Sequence, residues 1–233
     1  MKIDIHSHIL PTVDDGAKNI EESLTALKDA KNAGIQTIIC TPHVNCYKRQ
    51  EKEKIIQQFE FLREKAVSYG IHLFLGNEIL LTSDMIEQIK LGNVFSLANT
   101  DYLLVEFKRN ESMPFENVLS MLEELLDFGY KIILAHPEYY PSYRSINKMI
   151  QLKEQGVFLQ IDATSILRKF HSKAVVQFTK KLIKENLADV VGSDIHQTNE
   201  RNYRNYLRSY KKIKKKYGKK KAKQLFEDIP IKL

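Results

Sequence analysis

The chain has 233 residues, of which 43% are hydrophobic and 28% charged, with a formal net charge of +7. That balance excludes a disordered chain, and residues 1–233 are read as a single domain with a sizeable core. No stretch approaches the roughly 18 apolar residues of a membrane span, and the Met1–Asp4 start lacks a secretory apolar core, so a cytoplasmic protein is expected.

In chain order, short apolar runs alternate with helical patterns. Strands are expected at residues 3–5, 37–40, 72–75, 102–105, 131–135, 157–161 and 188–191. Between them, Ile20/Leu24/Leu27, Ile55/Phe59/Leu62/Ala66, Val118/Leu122/Leu125, Ile146/Met149/Ile150 and Val175/Phe178/Leu182/Ile183 recur at three- and four-residue steps, as one buried helix face requires. Gly34, Gly70, Gly129 and Gly156 each close a helical pattern before a strand. The class is therefore α/β with a parallel sheet, and seven repeats in this length favour a closed barrel over an open sheet.

The chain ends in a basic helix expected at about residues 200–223. Arg204, Arg208, Lys211, Lys212, Lys214, Lys215, Lys216, Lys219, Lys220, Lys221 and Lys223 crowd it, and Tyr203, Tyr206, Tyr210, Ile213 and Tyr217 supply an inward stripe. A solvated face is the favoured reading; no nucleic acid partner is expected, and the binding alternative is a weak contact with an anionic membrane. The two cysteines, Cys40 and Cys46, are too few for a disulfide framework. A thiol phosphatase would want an arginine six positions after its cysteine. Cys46 and Lys52 stand at those positions, which argues against that chemistry.

In a parallel barrel the C-terminal ends of the strands share one face. The ends carry His6 and His8, His43, Glu78, Glu106, His136 and Glu138, Asp162, and Asp194 and His196. Five of the seven histidines lie there. Buried carboxylates are costly unless paired or metal-bound, so their convergence with imidazoles points to a metal cluster. His6 and His8 stand two apart, as do Asp194 and His196, and residues two apart in a strand face the same way. Imidazole and carboxylate without thiolate suit manganese, iron, zinc or magnesium, and so many ligands imply two or three ions bridged by a carboxylate. His72 and His171 take a structural reading, one opening a strand and the other starting a helix.

The segments IDIHSHILPTVDDG, TPHV, GNEI, VEF, AHPE and GSDIH resemble the PHP domain (polymerase and histidinol phosphatase), over nearly the whole chain. Within it they are most similar to the metal-dependent protein-tyrosine-phosphatases of bacterial capsule and exopolysaccharide loci. The resemblance implies a distorted (β/α)7 TIM-like barrel with three metal ions, usually manganese. It implies one ion on His6, His8, Glu78 and Asp194, a second on Glu78, Glu106 and His136, and a third on Asp15, His43 and His196, with Asp15 preferred to Asp14. Arg201 matches an arginine of the family that grips phosphate. Tyr139 stands where the family has a second one, so Arg144 is a candidate to reach in from the same loop, with grip by the metals and Arg201, or reduced activity, as the alternatives.

The reaction implied is hydrolysis of phosphotyrosine on the tail of a bacterial tyrosine kinase that regulates polysaccharide synthesis. Clustered divalent ions supply the charge stabilisation that phosphate-monoester hydrolysis demands, and His43, His196 or a metal-bound water would protonate the leaving oxygen. The rival readings are a small-molecule phosphoesterase of the histidinol-phosphatase kind, a metal-dependent nuclease, and a non-catalytic binding module.

Overall fold

The computed structural model describes residues 2–44, 49–109, 113–196, 201–228 and 231; Cys46 lies outside them. In order the elements are β1 (Lys2–Ser7), α1 (Ile20–Ala33), β2 (Ile35–Cys40), β3 (His43–Val44), α2 (Arg49–Ala66), β4 (His72–Leu75), β5 (Glu78–Leu80) and α3 (Ser83–Lys90). They continue with β6 (Tyr102–Glu106), α4 (Phe115–Asp127), β7 (Lys131–Ala135), α5 (Ile146–Glu154), β8 (Phe158–Asp162), α6 (Lys173–Lys184), β9 (Val190–Gly192) and α7 (Tyr203–Phe226).

All strand pairings are parallel, in two sheets of order β1-β2-β4 and β3-β5-β6-β7-β8-β9. A bridge between Ser7 and Ile195, with hydrogen bonds from His8 N to Ile195 O and Asp194 N to His6 O, ties the end of β1 to the segment after β9.

Nine strand segments are seen among the described residues where seven runs were expected. The two additional ones, β3 and β5, resume after breaks at Thr41-Pro42 and Gly76-Asn77. Proline has no N–H for a ladder, and the Asn77 side chain instead donates to Pro42 O and accepts from Phe95 N. Helix α3 was not anticipated, although Thr82 caps it through Met85 N and Met85, Ile86 and Ile89 bury one face. His171 does not start a helix: α6 begins at Lys173 behind the cap Ser172.

Local chemistry sets the helix ends. Asn19 Oδ1 accepts from Glu22 N at the start of α1, and Gly34, in the left-handed region at φ 73°, returns its N–H to Ala30 O and Lys31 O. Gly70, Gly129 and Gly156 share that conformation. Helix α7 starts at the cap Asn202 and buries Tyr203, Tyr206 and Ile213, leaving its lysine face outward.

Strand alternation divides the core in two. Ile38, Leu103, Ile132, Leu159 and Val191 pack under the helices, while Ile5, Ile39, Leu104, Ile133 and Val190 form a second cluster on the opposite strand face. Continuing along that second face, the next positions are Glu106 on β6, Gln160 and Asp162 on β8, and Gly192 on β9. A register shift between Asp4 and Ser7 lets β1 place Ile5 in this cluster and still turn His6 toward Glu78.

Candidate metal centre

At one end of the strands, imidazoles and carboxylates meet. Nε2 of His6 and Nε2 of His8 are 3.1 Å apart; each is 3.2 Å from Glu78 Oε2 and 3.5 Å from Asp194 Oδ1. Donors held about 2.1 Å from one ion at octahedral or tetrahedral angles stand roughly 3.0–3.4 Å apart; the His6, His8 and Glu78 atoms have this spacing and Asp194 lies just beyond it. All four residues are buried.

Two further groups adjoin. His43 Nδ1 lies 3.0 Å from Glu78 Oε2 and 3.3 Å from Glu106 Oε1, while His136 Nε2 lies 2.8 Å from Glu78 Oε1 and 3.7 Å from Glu106 Oε2. Asp15 Oδ1 stands 3.4 Å from His43 Nε2 and 3.3 Å from His196 Nε2, and the donor atoms of His8 fall in the same group. The arrangement thus puts His43 between two groups and brings His8 close to the third.

The chemistry of these donors fits divalent cations. Among the described residues no hydrogen bond reaches Glu78 Oε2, a buried carboxylate oxygen facing three imidazole nitrogens. Such an atom is costly unless a cation meets it. The other ring nitrogens are occupied: His6 Nδ1 lies 2.9 Å from Gln160 Oε1, His8 Nδ1 2.7 Å from Asp14 Oδ2, and His196 Nδ1 2.9 Å from Asp194 O. On His6 and His8 an acceptor on Nδ1 holds the proton there and leaves the Nε2 lone pair aimed at the cluster.

Asp14 and Asp15 divide the work by direction. Asp14 turns back, accepting from Gly16 N and His43 N while it orients His8; Asp15, largely exposed, turns forward to His43 and His196. Gly16 makes this turn possible, since a Cβ there would stand 2.5 Å from His8 Cβ.

Electrostatically the site seeks positive charge. Burial opposes a proton on His6, yet Glu78 and Asp194 outweigh it and push its pKa up to about 10. Burial likewise opposes ionisation of Asp194, but His6, Arg201 and His196 bring it down to about 2. Glu78, though buried, is held well below the usual carboxylate range, by the charge of His6 and then by its close contacts with His136 and His43. Backbone strain marks the same place: His136 at φ 35° and Asp194 at φ 48° are left-handed without being glycine, a conformation costing on the order of 1–3 kcal/mol.

Glu138 and Asp162 belong to a separate network. Glu138 Oε1 accepts from Asp162 N, and Asp162 Oδ2 accepts from Tyr139 Oη at 2.6 Å. His171 lies 3.2 Å from that hydroxyl and 2.8 Å from Thr164 Oγ1, and His72 sits exposed at the start of β4.

Arg201 reaches Asp194 Oδ2 at 3.1 Å and His196 Nδ1 at 3.2 Å. Arg144 lines a cleft with Pro141, Gln177 and Lys181, whereas the cavity beside the cluster, about 420 Å³, is lined by Asp15, His43 and Glu106. A different guanidinium, not singled out from the sequence, stands over Tyr139: Arg109 lies 4.8 Å from its ring centroid, and that ring is 5.4 Å from the ring of His136. Its position three residues after Glu106 was the one available signal.

Such a fold and donor cluster define an α/β protein with side-chain groups able to hold metal ions, and the sequence narrows it further. Residues 2–233 match the capsular polysaccharide synthesis, CpsB/CapC family, and the chain belongs to it. It is 32% identical over 232 residues to a protein named putative tyrosine-protein phosphatase CapC from Staphylococcus aureus, covering 97% of this chain and 86% of that one. It is 33% identical over 241 residues to tyrosine-protein phosphatase CpsB of Streptococcus pneumoniae, covering 99% and 97%. Among solved structures, one chain from the crystal structures of YwqE from Bacillus subtilis and CpsB from Streptococcus pneumoniae, described as unique metal-dependent tyrosine phosphatases, superposes with a TM-score of 0.79 at 28% identity, covering 94% of this chain and 89% of that one.

Proposed function

We propose that this protein is a metal-dependent protein-tyrosine-phosphatase. The observation that carries the reading is the three groups of metal donors, two of which share Glu78. The family and the named phosphatases among its relatives support it.

We assign one ion to His6, His8, Glu78 and Asp194, a second to Glu78, Glu106 and His136, and a third to Asp15, His43 and His196. Manganese is the metal proposed. Bound divalent cations would supply Lewis-acid stabilisation of the phosphoryl oxygens and acidify water. The chain's own residues do the rest. Arg201, held by Asp194, offers a planar cation matched to phosphate, and His43 or His196 delivers a proton to the leaving phenolic oxygen. A phenol, with a pKa near ~10, needs that proton less than an aliphatic alcohol does.

We read the two sheets as one distorted (β/α)7 barrel of a single domain, with β2/β3 and β4/β5 each counted as one interrupted strand and the Ser7–Ile195 bridge closing the ring. No helix among the described residues is long and apolar enough to cross a membrane. The proposed substrate is the phosphotyrosine tail of a bacterial tyrosine kinase that controls polysaccharide synthesis, met in the cytoplasm.

The test is a substrate panel with manganese: phosphotyrosine peptide, phosphoserine peptide and histidinol phosphate. Preference for the first is expected; preference for either of the others overturns the substrate assignment.

A further inference from the structure

Beside the donor cluster lies a second depression of different chemistry. The polar cavity holds Asp15, His43, Glu106 and Leu80; its neighbour, about 370 Å³, is walled by Leu80, Leu81, Phe107, Met113 and Tyr143. Leu80 borders both. The boundary between them falls on a single peptide unit, with Glu106 facing one cavity and Phe107 the other.

The apolar depression has a fixed floor. Leu81, Phe107 and Tyr143 are buried to within a few per cent, and the Phe107 and Tyr143 rings pack edge to face at 6.3 Å. Hydrogen bonds hold both aromatics: Phe107 N donates to Tyr140 Oη at 3.1 Å, and Tyr143 Oη donates to Met113 O at 2.8 Å. Its volume falls within the roughly 300–1,000 Å³ of ligand pockets. A rigid apolar hollow needs little ordering to accept a side chain.

We propose that this depression receives an apolar side chain of the protein substrate, on a residue within three positions of the phosphotyrosine. The inference rests on the phosphatase reading and deepens it. A phosphotyrosine embedded in a polypeptide brings its neighbours along at about 3.3 Å per extended residue, so the wall next to the polar cavity is where they must lie. That wall is mostly apolar, with Thr82, Ser83 and Lys108 completing the lining, and it shares Leu80 with the polar cavity. Burying one leucine or phenylalanine there corresponds to about tenfold or more in kcat/KM.

The experiment uses the full chain with manganese and phosphotyrosine peptides carrying leucine, phenylalanine, glycine or aspartate at each of the three positions on either side. p-Nitrophenyl phosphate, which has no flanking residue, is the reference. The expected result is a preference of about tenfold for an apolar residue over aspartate at one position, expressed in KM. Two variants locate it: Ser83→Trp, which fills the rim from an exposed position, and Met113→Ala, which opens a wall. Each should shrink the ratio of peptide to p-nitrophenyl phosphate kcat/KM and flatten the preference. Turnover of all peptides without regard to flanking residue, or a preference that survives in both variants, overturns this inference and leaves the phosphatase reading standing. Failure to turn over any phosphotyrosine compound, while another phosphoester is cleaved, removes both.

Discussion

Two buried carboxylates, Asp4 on β1 and Glu78 on β5, have the same chemistry and opposite surroundings. Asp4 is met by donors: Ser193 N at 2.9 Å, Ser193 Oγ at 2.6 Å and Tyr203 Oη at 2.8 Å. These bonds pin β1 to the chain after β9 and to α7. Burial still dominates and raises the Asp4 pKa. Glu78 is met by imidazole nitrogens instead, with Oε2 lacking any hydrogen bond among the described residues, and its pKa is held well down. A carboxylate surrounded by N–H and O–H groups is a fastener; one surrounded by lone pairs needs a cation.

Exchanging one oxygen for an amide at each position should break this contrast most visibly. Glu78→Gln removes a donor shared by two of the three groups, so metal content should fall by more than one ion and turnover by at least ~100-fold, beyond the 10–100-fold that losing an outer partner costs. Asp4→Asn should keep its metal while losing about 1–3 kcal/mol of stability, since one hydroxyl donor is left facing an amide. Metal analysis and urea unfolding of both variants read these effects. Equal metal content in the two would erase the distinction.

Next in size is Asp14→Asn, which leaves every proposed ligand in place and puts an amide N–H where the oxygen accepting from His8 Nδ1 and His43 N now stands. Manganese affinity measured by titration should weaken by about 10–100-fold.

Gly192→Ala sharpens the comparison from the backbone side. A Cβ there would stand 2.9 Å from His6 Cβ and 2.7 Å from Gln160 Nε2, both buried. The expected cost is about 1–3 kcal/mol in unfolding free energy, together with reduced turnover from a displaced His6.

An effect confined to alkaline pH concerns Glu138, a third buried carboxylate, whose pKa is pushed up to about 8 by burial and then by the Asp162 charge. Because the folded value lies above the ordinary 4.5, its contribution to stability is fully present at pH 4.5 and below and is lost as pH rises through about 8. Glu138→Gln should therefore match the parent protein near pH 4 and exceed its stability at pH 9, a divergence that denaturation at several pH values can follow.

How much of this could be seen in the sequence differs between strand ends and turns. The strand runs, the glycine caps and the inward tyrosine stripe of α7 follow from periodicity and from chemistry local to each segment. The meeting of His6, His8, Glu78 and Asp194 follows from parallel topology, which carries the ends of separate strands to one face. What stayed hidden depends on the direction of side chains in irregular backbone. Asp14 and Asp15 are adjacent, and only the turn at Gly16 separates orienter from donor. His43 follows a proline break, which swings its ring between Glu78 and Asp15. Arg144, placed by sequence proximity near the site, lines another cleft, while Arg109 reaches Tyr139 from a different strand end. Helix α3 is only eight residues long, too short for its three buried positions to stand out.

The central claim is that these donors hold a cluster of cations around Glu78. Its most direct test is the number of tightly bound ions per chain after equilibration with manganese and removal of the excess, measured in the parent protein and in Glu78→Gln. The account predicts one ion for each of the three donor groups in the parent and one or none in the variant. A parent chain that retains no metal, or a variant that retains as much as the parent, would contradict it.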